Sequence, residues 1–188
     1  MKRLAVITVG KTHSGKTIFA NELEKKLNNS FIMDQDNHAE FINTYYKKLQ
    51  FQNGPNLLKY SLSKCIVDYA KEHTDLHIIV CNSNRTKSGR KYLLEEIYGP
   101  DKFVRIIVHF NLPNEILHER VIRSDRSTNI FRNPNSNFKD VLLRQQGESD
   151  LHDVIDPDEE EADHLFVVKD NHDIVDVINQ ITRISDEL

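Results

Sequence analysis

Residues 10–17 read Gly-Lys-Thr-His-Ser-Gly-Lys-Thr, a full match to G-x-x-x-x-G-K-[ST], and they follow directly on the apolar run Leu4 to Val9. No other feature constrains the fold as much. A short Val- and Ile-rich run bounded by glycine reads as a fully buried strand. The glycine-rich turn after it strings backbone N–H groups into an anion nest, and the following helix aims its positive dipole end at the same point. Gly10 and Gly15 let the backbone approach a ligand with no side chain in the way. Lys16 is expected to reach the β- and γ-phosphates of a nucleotide, and the Thr17 hydroxyl to hold Mg²⁺. Lys11, Thr12, His13, Ser14 and Ile18 complete the expected nucleotide contacts. His13 is read as a neutral contact or spacer, not as a catalyst.

The rest of the chain alternates. After Leu4 to Val9, apolar runs recur at Phe31 to Met33, Ile78 to Cys81, Val104 to Phe110 and Leu165 to Val168. Helical stripes lie between and after them: Ile18, Phe19, Leu23 and Leu27; Leu58, Leu62, Cys65, Ile66 and Tyr69; more weakly Tyr92, Leu93, Glu96 and Ile97; and Ile174, Val177, Ile178, Ile181, Ile184 and Leu188. Strands alternating with helices imply a parallel sheet covered on both faces. With 188 residues the chain suits one α/β domain spanning 1–188. Two segments break the alternation. Residues 37–59, with Phe41, Tyr45, Tyr46 and Phe51, read as a substrate-covering insertion, and residues 120–139 as a lid. Tyr45, Tyr46 and Phe51 are candidates to stack a base.

Composition narrows the class by exclusion. The formal charge of −4 counts modestly against a general nucleic-acid binder. Cys65 and Cys81 match no disulfide framework or zinc spacing, and both read as buried, reduced thiols. No run is long enough for a membrane helix, so a soluble cytoplasmic protein is expected. Oligomeric state is not readable.

Three patches decide among nucleotide-using chemistries. Asp34 and Asp36 close the second strand, at the edge where open parallel sheets bind ligands. A carboxylate there can accept the proton of an attacking hydroxyl. On a continued strand the two would point the same way, and the rival reading makes Asp36 or Asn37 the cap of a helix over 37–49. The third strand ends in Cys81-Asn82-Ser83-Asn84-Arg85, without the acid expected at this edge. Asn82 and Asn84 are candidate substrate contacts, and Arg85 or Arg90 is placed to reach a phosphate. Arg120, Arg123 and Arg126 lie three apart on a helix end, suited to clamp phosphate oxygens and spread transition-state charge. The acidic run Asp156 to Asp163 is expected to be a solvated loop.

These motifs resemble the small P-loop kinases of the nucleoside-monophosphate-kinase-like superfamily, and look closest to the polynucleotide kinase and zeta-toxin-like branch, often described as AAA-type ATP-binding domains. In polynucleotide kinases an Asp near the end of the second strand is the base, the third strand leads into an Asn-Thr-Asn-like turn, and lid arginines clamp ATP. The resemblance implies a base at Asp36 or Asp34, substrate contacts at Asn82 and Asn84, and a lid carrying Arg120, Arg123 and Arg126. Asp34-Gln35-Asp36 also resembles the Gln-Asp-Asp element of nicotinamide riboside and uridine kinases, which favours Asp36. With no acid after Val80, Asp36 would share the metal with Thr17. No Asn-Lys-x-Asp guanine reader follows a late strand, which sets GTPases aside.

The expectation is therefore a P-loop NTPase fold, with a five-stranded parallel sheet, helices on both faces and a lid. The expected activity is ATP- and Mg²⁺-dependent transfer of the γ-phosphate to a hydroxyl of a small, nucleoside-like acceptor. Lys16, Asp36 or Asp34, Arg123 and Arg126 would carry it. A 5′-hydroxyl polynucleotide kinase and a nucleotide-binding module without transfer are the rivals; nucleic acid is not favoured, and no membrane partner is expected.

Overall fold

The computed structural model describes residues 2–51 and 53–188. Met1 and Gln52, the latter inside the segment 37–59, lie outside the described residues. The five apolar runs form five strands: β1 (Arg3–Gly10), β2 (Ser30–Met33), β3 (His77–Val80), β4 (Phe103–Phe110) and β5 (His164–Val168). They make one sheet in the order β2-β3-β1-β4-β5, and every pair is parallel. Parallel neighbours need crossovers, and helices supply them. In chain order these are α1 (Lys16–Lys26), α2 (Gln35–Tyr45), α3 (Leu57–His73), α4 (Lys87–Tyr92), α5 (Asn114–Ile122), α6 (Phe138–Gly147) and α7 (Asp173–Asp186).

Strand alternation divides the core between the two faces. Leu4 and Val6 of β1 meet Phe19 and Leu23 of α1 and Val177, Ile178 and Ile181 of α7. Ala5, Ile7 and Val9 turn the other way, onto Val67 of α3 and Leu94 and Tyr98 beyond α4. β1 is buried along its whole length because both neighbours and both faces are occupied. At its start Arg3 donates to the carbonyls of Ala70, Lys71 and Thr74, so a cation closes the C-terminus of α3.

Three local expectations are corrected. The buried face of α3 is Ser63, Val67 and Ala70, not the stripe of Leu58, Leu62, Cys65, Ile66 and Tyr69. Val67 on that face joins the core under the sheet, Ser63 bonds His38 of α2, and Cys65 is exposed rather than buried. The helix expected over 37–49 begins at Gln35, because Asp34 caps it, and ends at Tyr45 before a 3₁₀ turn at Lys47–Leu49. The weak periodicity near Tyr92 has a cause as well. After α4 the chain makes one π turn, Leu93–Ile97, which breaks the 3.6-residue repeat.

The acidic run is not merely solvated. Arg90 is fully buried, and Glu161 grips it through both carboxylate oxygens, at 2.7 and 2.8 Å. Asp158 pairs with Lys87, and Asp163 with Arg105. These bridges tie the connection before β5 to α4 and β4. Among the described residues, no helix is long and apolar enough to cross a membrane.

Candidate active site

The C-terminal ends of β1, β2 and β3 open into a cleft of about 1060 Å³. One wall is the loop of residues 10–17. Gly10 (φ 152°) has no room for a side chain: a Cβ would lie 2.9 Å from the Phe110 carbonyl oxygen. Gly15 (φ 102°) and His13 (φ 59°) take left-handed conformations that bend the loop around the cleft. No side chain caps α1, so the first N–H groups of that helix stay available to an anion. The Lys16 ammonium turns back onto its own loop, donating to Lys11 O at 2.5 Å and Ser14 Oγ at 3.1 Å. Burial pushes its pKa down to about 8. A cation held only by its own loop, beside an uncapped helix, fits a polyphosphate.

The loop is braced from behind. Gly10 N donates to Ser83 O, Thr8 Oγ1 to the carbonyls of Asn82 and Val80, and Asn84 Nδ2 to Thr8 O. Asn84 holds a left-handed conformation (φ 43°) to do this, and it is not among the cleft-lining residues. Gln145, buried on α6, accepts from Thr12 N at 2.7 Å.

Opposite the loop stand the two carboxylates. Asp34 accepts from Asp36 N at 2.8 Å as the cap of α2, and is 5% exposed. Burial pushes its carboxyl above the ordinary range, against the backbone hydrogen bond from Asp36. Asp36, in the first turn of α2, points its carboxylate toward Arg126 instead, at 2.7 Å. The strand therefore does not align the two, but both line the cleft. Cys81 takes the edge position where an acid was expected. Its thiol donates to Thr17 Oγ1 at 3.7 Å, and burial pushes its pKa up to about 12. Thr17, Cys81 and Asp34 all line the cleft.

A roof covers part of the cleft. The segment 123–137 crosses α2, with Ser127 Oγ donating to Glu40, Asn129 to Thr44, and Asn43 to the carbonyls of Asn129 and Phe131. Arg132 reaches the carbonyls of Phe51 and Gly54. Phe131 and Phe138 stack edge-on over the opening, and His13 meets Phe138 in the same way. Arg120 bonds His13 O and Asn171 Oδ1, at the end of the cleft where Ile18 and Ile174 give an apolar slot.

Several expected residues are brought together: Lys16, Thr17, Ile18, His13, Asp34, Asp36, Asn82, Arg120 and Arg126 all line the cleft. Asn82 orients α2 by accepting from Gln35 N. Others are drawn elsewhere. Arg85 pairs with Glu148 and bonds Gln145 O, away from the cleft. Arg90 is spent on Glu161, and Arg123 is exposed at the end of α5, outside the cleft lining. Tyr45, Tyr46 and Phe51 are 70%, 48% and 75% exposed and do not line the cleft, so the aromatic surface it offers comes from Phe131 and Phe138. Lys59, Arg144 and Gln145 line it without having been expected. A lone lysine or glutamine on a helix carries no motif that would have marked it.

The parallel sheet with β1 at its centre, the strand order and the loop of residues 10–17 define a P-loop NTPase fold. Solved structures carry this further, to the fold of the small P-loop kinases. A sugar kinase from Janibacter sp. is 16% identical with a TM-score of 0.61, covering 98% of this chain and 95% of its own. The APS kinase CysC of Mycobacterium tuberculosis, solved with AMPPNP and APS, is 14% identical with a TM-score of 0.56, over 99% of both chains. Kti12 of Chaetomium thermophilum, solved with ADP-AlF3, is 15% identical with a TM-score of 0.56, over 94% and 96%. No protein-family model and no curated protein matches the chain.

Proposed function

We propose that this protein is an ATP- and Mg²⁺-dependent phosphotransferase that moves the γ-phosphate to a hydroxyl of a small, nucleoside-like molecule. The carrying observation is the meeting of Lys16, Asp36 and Arg126 over one roofed cleft. Phosphoryl transfer needs positioning and charge stabilisation more than covalent help from the protein. Lys16 leaves the Lys11 carbonyl for the phosphates, and the open N–H groups of α1 hold them from below. Arg120, Ile18, Asn171 and Ile174 receive the base of the nucleotide. Mg²⁺, when bound, would be held by Thr17 with Asp36 and would neutralise phosphate charge. The acceptor hydroxyl gives its proton to Asp36 as its oxygen bonds the γ-phosphorus and the bond to the β-phosphate oxygen breaks. Arg126, already beside Asp36, offsets charge on the transferring group.

Arg123, Asn84, Arg85 and Arg90 have no part in this reading, since each is exposed or engaged outside the cleft. Their loss also argues against a polynucleotide acceptor, because Arg90 is buried in its ion pair with Glu161 and Arg85 is engaged by Glu148, so neither is free to line a basic groove. A second reading, a nucleotide sensor without transfer, draws on Cys81 at the edge where an acid is expected. The test is a γ-labelled ATP transfer screen over nucleosides, sugars, other small alcohols and oligonucleotides. Transfer to a small alcohol supports the phosphotransferase; tight ATP binding with no acceptor supports the sensor. The cytoplasm, with its ATP and Mg²⁺, is the compartment that suits either.

A further inference from the structure

One cation in the cleft is used by none of this chemistry. Lys59 lies in the first turn of α3, below the roof, and lines the cleft beside Asp36 and Asn82. Among the described residues its ammonium makes no hydrogen bond and no ion pair; it lies 5.3 Å from the centroid of the Tyr60 ring. The other cations of the cleft are occupied. Lys16 bonds Lys11 O, Arg120 bonds Asn171, Arg126 bonds Asp36, and Arg144 lies 3.7 Å from Glu148. Asp36 has its own partner in Arg126, and Asp34 spends an oxygen on Asp36 N, so neither carboxylate is within ion-pair distance of Lys59.

Holding an ammonium half out of water without a partner is costly unless a ligand supplies one. Burial lowers the Lys59 pKa, and Arg132 adds to that, while Asp36 and Asp34 oppose it. Lys59 and the carboxylates therefore share one electrostatic neighbourhood. An acceptor with an anionic group would be repelled by two carboxylates unless a cation offset them, and Lys59 is the cation available. A neutral acceptor would leave it unpaired in the cleft.

Resting on the phosphotransfer reading above, we propose that Lys59 is a specificity-determining residue that binds an anionic group, a carboxylate or a phosphate monoester, carried by the acceptor whose hydroxyl faces Asp36. The acceptor is then a small hydroxy acid or phosphorylated alcohol, including a nucleoside that bears a phosphate away from the reacting hydroxyl.

Transfer of labelled γ-phosphate from ATP to matched pairs tests this: glycerate against glycerol for the carboxylate, and glucose 6-phosphate against glucose and adenosine 3′-monophosphate against adenosine for the phosphate. The expected result is transfer to the anionic member of one arm. In Lys59→Gln its kcat/KM falls about 10- to 100-fold, mostly through KM, the loss typical of a charge-assisted hydrogen bond. The KM for ATP stays unchanged, the thermal midpoint of the free protein does not fall, and Lys59→Arg retains the preference. Equal or better transfer to the neutral members overturns the proposal and leaves the kinase reading standing, as does an equal loss on both members in Lys59→Gln. Transfer to no member of any pair overturns the kinase reading itself, and the role of Lys59 falls with it.

Discussion

The Arg126 guanidinium donates to Asp36 Oδ2 at 2.7 Å, joining the roof of the cleft to the first turn of α2 across 90 residues of sequence. Arg126 also lies over the Phe138 ring, 5.1 Å from its centroid, so stacking and pairing hold it together. The two side chains are 35% and 40% exposed, so the pair contributes under about 1 kcal/mol to stability. On the proposed mechanism its weight falls on catalysis. Arg126→Ala is expected to lower kcat roughly 10²- to 10³-fold, the cost of removing one preorganised donor from developing charge. Its urea midpoint should hardly move. Arg126→Lys should restore little, since an ammonium cannot reproduce the planar fork. Steady-state kinetics beside urea unfolding checks both halves.

On the proposed reading, Lys16 makes nucleotide binding depend on pH. Its folded pKa is pushed from 10.5 down to about 8. Below pH 8 the group is charged in the folded and unfolded chain, and the folded state carries the whole desolvation cost. Between 8 and 10.5 the unfolded chain holds more protons, so the contribution of this group to stability rises with pH. Bound phosphates favour the charged form and move the pKa back up. Titration calorimetry in buffers of different ionisation enthalpy should then show proton uptake with ATP at about pH 9 and little at about pH 6.5. Lys16→Met should abolish the uptake.

Arg90 and Glu161 test which arginines are structural. Removing one partner of a buried ion pair leaves an uncompensated charge and costs about 3–5 kcal/mol. Glu161→Gln should lower stability by that order in urea unfolding. At temperatures where the variant stays folded, ATP affinity should be close to that of the wild type.

Gln145 braces the phosphate loop. Gln145→Leu strips the Thr12 N–H of its acceptor, at a cost of about 1–3 kcal/mol in a buried setting. The loop then samples other conformations, and the Kd for ATP should rise several-fold in calorimetry, with the Asp36-dependent step unaffected.

The frame of this fold was legible because local rules write it. Five apolar runs became five strands, and the glycine spacing of residues 10–17 became the cleft wall. Lys16, Thr17, Asp34 and Asp36 follow from that wall, since they sit at strand ends that the alternation places side by side. What stayed hidden depends on distant pairing. Arg90 reads as a phosphate ligand until Glu161, 71 residues later, is seen to hold it. Tyr45, at the end of α2, and Phe51, beyond the 3₁₀ turn, look like stacking rings until both prove exposed, while Phe131 and Phe138 line the cleft instead. Lys59 and Gln145 belong to helices whose periodicity says nothing of which residue meets the cleft.

The central claim is that Asp36 accepts the proton of an alcohol that receives the γ-phosphate. Its most direct measurement is single-turnover transfer from γ-labelled ATP to an accepting alcohol by wild type and Asp36→Asn, with ATP binding followed in parallel. The account expects Asp36→Asn to bind ATP normally and to lose transfer by roughly 10²- to 10⁴-fold, the range for a general base. Full transfer by Asp36→Asn would contradict it and pass the role to Asp34.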